Sequence, residues 1–207
     1  MFDVLYYSYD VRMCSRFEIS SSAREIMQAL SLKAPPPLPN KPEVRPTDAA
    51  LMVLDDAGKR ISELRPWGLR VDWTTQPMIN ARAETLSDKP TFRPLLENRC
   101  VLPASAYFEW RKTENGEKRK NRIYGKGLLV MAGLFDAERV TIVTCAPASS
   151  IQHIHNRMPV LLDQDGIQTW LSGAPFSHVA GVLVPFTGPL TFDEETPPPS
   201  AQQDLFG

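Results

Sequence analysis

Apolar and polar positions along the chain change over in short runs, and only one segment carries a clear helical stripe. In residues 22–32, Ala23, Ile26, Met27 and Leu30 fall on one face; Ser22 stands where a cap is needed, and Glu25 completes a capping box. Residues 49–54 and 61–64 flank Asp-Asp-Ala-Gly and read as two strands of a hairpin. Residues 128–135 and 140–144 form a second strand pair across 136–139, while 92–98 and 165–171 are short helix candidates. Many short strands, few helices and no strand–helix–strand alternation predict an α+β domain. It is expected to have a curved, mainly antiparallel β-sheet or open barrel with a few helices.

Composition narrows the setting. The 207 residues are 43% hydrophobic and 23% charged, enough for a sizeable core without staples. Three widely spaced cysteines (Cys14, Cys100 and Cys145) offer neither a disulfide framework nor a zinc pattern, and His153 and His155 lack ligand spacing with them. No cofactor and no metal are therefore expected. No apolar run approaches the ~18 residues of a membrane span, and no signal peptide is evident, so a reduced, cytoplasmic monomer without membrane contact is expected. Six of the 19 prolines lie in 35–46, an extended surface stretch. Residues 111–126 hold seven basic and two acidic side chains and read as a solvated hairpin loop.

The net charge of −1 hides an uneven distribution. Residues 191–207 carry four acids and no base, whereas 13–190 carry 22 Lys and Arg against 18 Asp and Glu. A mildly basic body with a flexible acidic, Pro-rich tail does not exclude nucleic acid; it favours a local groove over bulk attraction. Residues 1–12 have no evident structural role, and Met13 is read as the true initiator. Its removal would give Cys14 a free α-amine beside its thiol. Such a 1,2-aminothiol condenses with an aldehyde to an imine, and sulfur then closes a thiazolidine ring. An α-amine pKa of about 8 leaves part of it neutral and nucleophilic near pH 7.

Three further segments each set one catalytic-type polar residue among apolar neighbours: Asn80 in Ile-Asn-Ala-Arg-Ala-Glu, Glu109 in Ala-Tyr-Phe-Glu-Trp, and His155 in Ile-His-Asn-Arg-Met-Pro. Singly each reads as a satisfied core polar group; together with Cys14 they suggest one convergent site. With Met-Cys-Ser-Arg-Phe, Lys-Pro-Thr-Phe-Arg and Met-Ala-Gly-Leu, these motifs in this order resemble the SRAP family, the SOS-response-associated peptidase-like proteins that process abasic sites in single-stranded DNA.

The resemblance implies a sensor in the DNA damage response that forms a covalent thiazolidine DNA–protein crosslink through Cys14. Asn80 would position the cysteine or the sugar, Glu109 would shuttle protons with a raised pKa, and His155 would contact the opened sugar or its 3′ phosphate. Arg16, Arg82 and Arg157 would neutralise phosphates, and Trp67 and Trp73 would stack on bases. Two rival activities stay open: a cysteine peptidase that removes the residues before Cys14, and a non-covalent single-stranded DNA adaptor. The sequence departs from the family at Glu43, where Asn is usual, and after Val184, where the C-terminal portion is abbreviated. Finally, Gln202, Leu205 and Phe206 near the end resemble a peptide that docks on the bacterial sliding clamp. The expected organisation is an extension at 1–12, an SRAP-like domain at 13–190 and the tail at 191–207.

Overall fold

The computed structural model describes residues 15–195. Its strands, in chain order, are β1 (Arg16–Glu18), β2 (Glu43–Val44), β3 (Ala49–Asp56), β4 (Lys59–Pro66), β5 (Leu69–Val71), β6 (Thr74–Met78) and β7 (Asn80–Arg82). They continue with β8 (Arg99–Ala104), β9 (Ala106–Lys112), β10 (Lys118–Tyr124), β11 (Leu129–Phe135), β12 (Val140–Cys145), β13 (Met158–Pro159) and β14 (Thr191–Glu194). Three short helices, α1 (Ala23–Leu30), α2 (Gln164–Trp170) and α3 (Phe176–Val179), sit among them.

One sheet has the order β14-β10-β9-β1-β2; a second runs β13-β12-β11-β8-β3-β4 with β7 added alongside β12, and β5 pairs with β6 as a separate ribbon. The strands pair antiparallel except for β7 on β12, which is parallel, as is the isolated bridge of Trp67 to Val140. Mainly antiparallel sheets with a few helices are thus the architecture the hydrophobic pattern predicts. Strands β8 and β12 are buried along their whole length and β11 along all but its last residue, so they read as continuous apolar runs instead of alternating ones.

Local chemistry accounts for the elements. Ser22 caps α1 through the Glu25 N–H while the Glu25 carboxylate accepts from the Ser22 N–H, and Ile26 and Leu30 carry the buried face. The β3–β4 hairpin turns on Ala57 and Gly58, both with positive φ (51° and 81°). That is the two-residue turn whose twist matches paired strands. The candidate helix at 92–98 is instead one 3₁₀ turn, Arg93–Leu95, with the Leu95 N–H on the Phe92 carbonyl at 2.8 Å.

Two expectations about charged segments are corrected. The basic stretch 111–126 is not a solvated loop but largely the paired strands β9 and β10, joined by a tight turn at 113–117. Residues 191–194, read as the start of the tail, form β14 against β10. Opposite charge explains both: Arg111 donates two hydrogen bonds to Glu194 at 2.8 Å each, and Lys120 reaches Glu195 at 2.8 Å. Among the described residues no helix is long and apolar enough to cross a membrane.

Candidate active site and DNA-facing surface

Glu109 lies on β9 with its side chain fully buried. A carboxyl there is costly unless other polar groups meet it. Its Oε1 lies 3.9 Å from His155 Nδ1. The loop between β12 and β13 delivers the histidine, folding through turns pinned by buried Ile151 and Ile154. His155 Nδ1 is 3.2 Å from the Arg157 N–H and 3.4 Å from the Arg157 carbonyl. A neutral ring accepts the first bond and keeps its proton on Nε2; a protonated ring finds the carbonyl and the Glu109 carboxyl as acceptors. Protonation at Nδ1 gives up the bond from the Arg157 N–H, which then faces a second donor, so the loop must shift as the ring gains its proton.

Asn80 comes from the parallel pairing of β7 with β12, where it opposes Ile142. Ala81 points into the core, so Asn80 and Arg82 share the opposite face of β7. The carbonyl just before Asn80, that of Ile79, accepts from the Ile142 N–H at 3.1 Å and from the Trp67 indole N–H at 2.8 Å. Two donors on one oxygen fix where β7 begins.

Trp67 is therefore a correction. It is fully buried and meets Phe17 edge-on at 5.2 Å between ring centroids. Gly68 (φ 116°) turns the chain behind it, and a Cβ there would stand 2.6 Å from Pro77 Cβ. A ring with no accessible face cannot stack on a base. Trp73, in the turn between β5 and β6, is 59% exposed, so only the second tryptophan offers a face to solvent.

The three arginines differ. Arg82 is exposed. Arg157 is 14% exposed in its side chain and grips both Glu84 oxygens at 2.7 Å, with a further bond to the Thr144 carbonyl at 2.8 Å. That guanidinium braces the His155 loop against β12 more than it meets solvent. The hydrogen bond from Arg157 is the main reason the Glu84 carboxyl titrates below its ordinary value, against the opposing effect of burial. Arg16, on β1, donates to Glu43 at 3.0 Å and lies over the Trp110 ring at 5.6 Å. The partners Glu84 and Trp110 stand within the Asn80 and Glu109 motifs themselves, yet nothing in one-dimensional spacing marks them as braces for an arginine.

Cys14 lies outside the described residues, as do Gln202, Leu205 and Phe206. Arg16 opposes Phe108 across the β1–β9 ladder. The chain thus enters β1 beside Glu109, the next residue along β9. The remaining thiols are buried: burial pushes Cys145 up to about 11 and Cys100 further still. Neither is a nucleophile in the folded state. Among the described residues, no three His, Cys, Asp or Glu side chains converge as a metal site requires.

Known proteins resemble the chain in sequence and in fold. The family model described as SOS response associated peptidase (SRAP) matches residues 13–193. Over 181 residues the chain is 34% identical to the abasic site processing protein YoqW of Bacillus subtilis (strain 168), covering 77% of this chain and 80% of that one. The abasic site processing protein YedK of Escherichia coli (strain K12) is 30% identical over 192 residues, with 81% and 85% covered. A crystal structure of a Bacteroides thetaiotaomicron protein superposes with a TM-score of 0.75 at 24% identity, covering 87% of this chain and 91% of that one. A phage-related protein from Bordetella bronchiseptica does so at 0.73 and 21%, covering 88% and 94%.

Proposed function

Since the chain belongs to the SRAP family of abasic site processing proteins, we propose that it captures abasic sites in single-stranded DNA as a thiazolidine on Cys14. The observation that carries this reading is the buried Glu109–His155 pair at the point where the chain enters β1, two residues after Cys14. The chemistry requires residues 1–13 to be removed, so that Cys14 bears a free amine.

The ring-opened abasic sugar presents an aldehyde carbon. The Cys14 amine adds to it, and the resulting carbinolamine loses its hydroxyl as water, which takes one proton from an acid. The thiol sulfur then attacks the imine carbon, its proton passes to the ring nitrogen, and the five-membered ring closes. One water leaves and no redox partner is needed. Glu109 and His155, 3.9 Å apart, supply and recover the proton. Asn80, fixed by the doubly bonded Ile79 carbonyl, holds the cysteine backbone or the sugar. Holding amine, thiol and aldehyde together makes the condensation effectively intramolecular. Arg16 and Arg82 meet phosphates, Trp73 stacks on a flanking base, and Arg157 positions the His155 loop.

The test is an abasic single-stranded oligonucleotide incubated with natively expressed protein whose mass begins at Cys14. A denaturation-resistant adduct that disappears in Cys14→Ala is expected. A mass retaining Met1 to Met13, or an adduct that survives the substitution, refutes the mechanism. Cleavage of peptide substrates by Cys14 would favour the peptidase activity, and salt-sensitive binding without any adduct would favour the adaptor. Clamp docking rests on residues 202–206 alone; their deletion should abolish clamp pull-down while sparing the adduct.

A further inference from the structure

At the edge of the five-stranded sheet, three cations from separate segments meet on one carboxylate. Glu43, on β2, accepts from Arg16 at 3.0 Å and from Arg45 at 2.9 Å, and Lys120 Nζ on β10 lies 3.6 Å away. Burial pushes the Glu43 carboxyl up, but Arg45, Arg16 and Lys120 outweigh it and hold it below its ordinary value. Two of the cations have attachments besides Glu43. Arg16 lies over Trp110, while Lys120 lies 4.3 Å from the Phe108 ring centre and bonds to Glu195. They would stay in place if the carboxylate left.

Two oxygens sharing one negative charge, gripped by two guanidiniums and an ammonium, present the same pattern as a bound phosphodiester. Arg16 is two residues from Cys14, a span of at most about 7 Å. A phosphate held here would therefore belong to a nucleotide next to the captured lesion.

We propose that Glu43 occupies a backbone-phosphate subsite of the single-stranded DNA path, so that the strand must exchange a phosphate for this carboxylate to dock. The proposal rests on the DNA reading above and assigns a role to a residue that reading leaves unused. Exchange of one anion for another brings little net attraction. Glu43 thus weakens the hold on undamaged DNA and leaves durable binding to the covalent bond.

The test is fluorescence anisotropy with an undamaged 15-nucleotide single strand over a salt series. In Glu43→Gln, affinity at low salt should rise about ten-fold, and the slope of log affinity against log salt should steepen by about 0.7 to 1.4, one to two more neutralised phosphates. Adding Arg45→Gln, a largely exposed position, should erase most of that gain, and Glu138→Gln, the same charge change on an exposed turn, should alter affinity less than about two-fold. Should Glu43→Gln melt early, the shorter neutral Glu43→Asn carries the same expectation. Unchanged or weaker binding in the Glu43 variants, or an equal gain in Glu138→Gln, overturns the proposal. Because undamaged DNA is the probe, this outcome is separate from the abasic adduct assay: a wild-type protein that binds but never crosslinks fails the mechanism and leaves this exchange standing.

Discussion

Trp67→Phe separates two roles for one ring. Phenylalanine keeps an aromatic face but lacks the indole N–H that holds the Ile79 carbonyl at 2.8 Å. The lost hydrogen bond is worth about 0.5 to 1.5 kcal/mol, and the low end applies, because Ile79 O still accepts from Ile142 N–H. The smaller ring removes about 40 Å³ from a fully closed site, which at ~24 cal/mol per Å³ adds about 1 kcal/mol. A loss near 1.5 kcal/mol should lower Tm by about 3 to 6 °C for a chain of this size. The loosened carbonyl precedes Asn80, so the rate of adduct formation should fall while affinity for undamaged single strands holds. Calorimetry, anisotropy and single-turnover crosslinking would measure the three quantities. Weakened DNA binding with an unchanged Tm would refute the buried geometry and restore Trp67 as a stacking residue.

Trp73→Ala should do the reverse: single-strand affinity falls by the ~1 to 3 kcal/mol of one stacked base, and Tm moves by less than about 2 °C, as for other exposed sites. In Cys14→Ala, a thiol reagent at neutral pH should label nothing in the native protein and two sites after denaturation; native labelling of Cys145 would contradict its burial. Glu84→Gln should slow crosslinking by loosening the Arg157 brace, with a stability loss under about 1 kcal/mol because Glu84 is half exposed. Since Glu84 titrates lower folded than its ordinary 4.5, its contribution is complete above that pH and fades as pH falls through the depressed folded value. The stability gap between wild type and Glu84→Gln should therefore close in acid, and a gap that widened there would refute the ion pair.

Much of the fold was legible because local rules and the final packing agree. The Ser22–Glu25 box, the Asp-Asp-Ala-Gly turn and the apolar runs of β11 and β12 all became the elements their patterns imply. The failures have a common cause in partners distant along the chain. A run of lysines and arginines looks like a solvated loop until Glu194 and Glu195, some eighty residues on, pair with it. Trp67 looks like a free ring until Phe17 and the Ile79 carbonyl enclose it. At the site, the residue types were visible in their motifs, whereas the Arg157–Glu84 and Arg16–Glu43 pairs required the fold. Arg157 and Arg16 looked equally ready for phosphate in the sequence; both already hold carboxylates.

The parallel register of β7 on β12 also sets a timetable. Asn80 finds its ladder partner, Ile142, about 60 residues later in the chain, and His155 follows later still. On a ribosome adding about 5 to 20 residues per second, Asn80 waits roughly 3 to 12 seconds for that strand. Glu109 emerges during the wait without its histidine. The surroundings of Asn80 and Glu109 are thus completed only once β12 and the loop that follows it have emerged. Any product truncated before residue 140 lacks both the strand that seats Asn80 and the histidine beside Glu109, so neither pairing can form until most of the chain has been made.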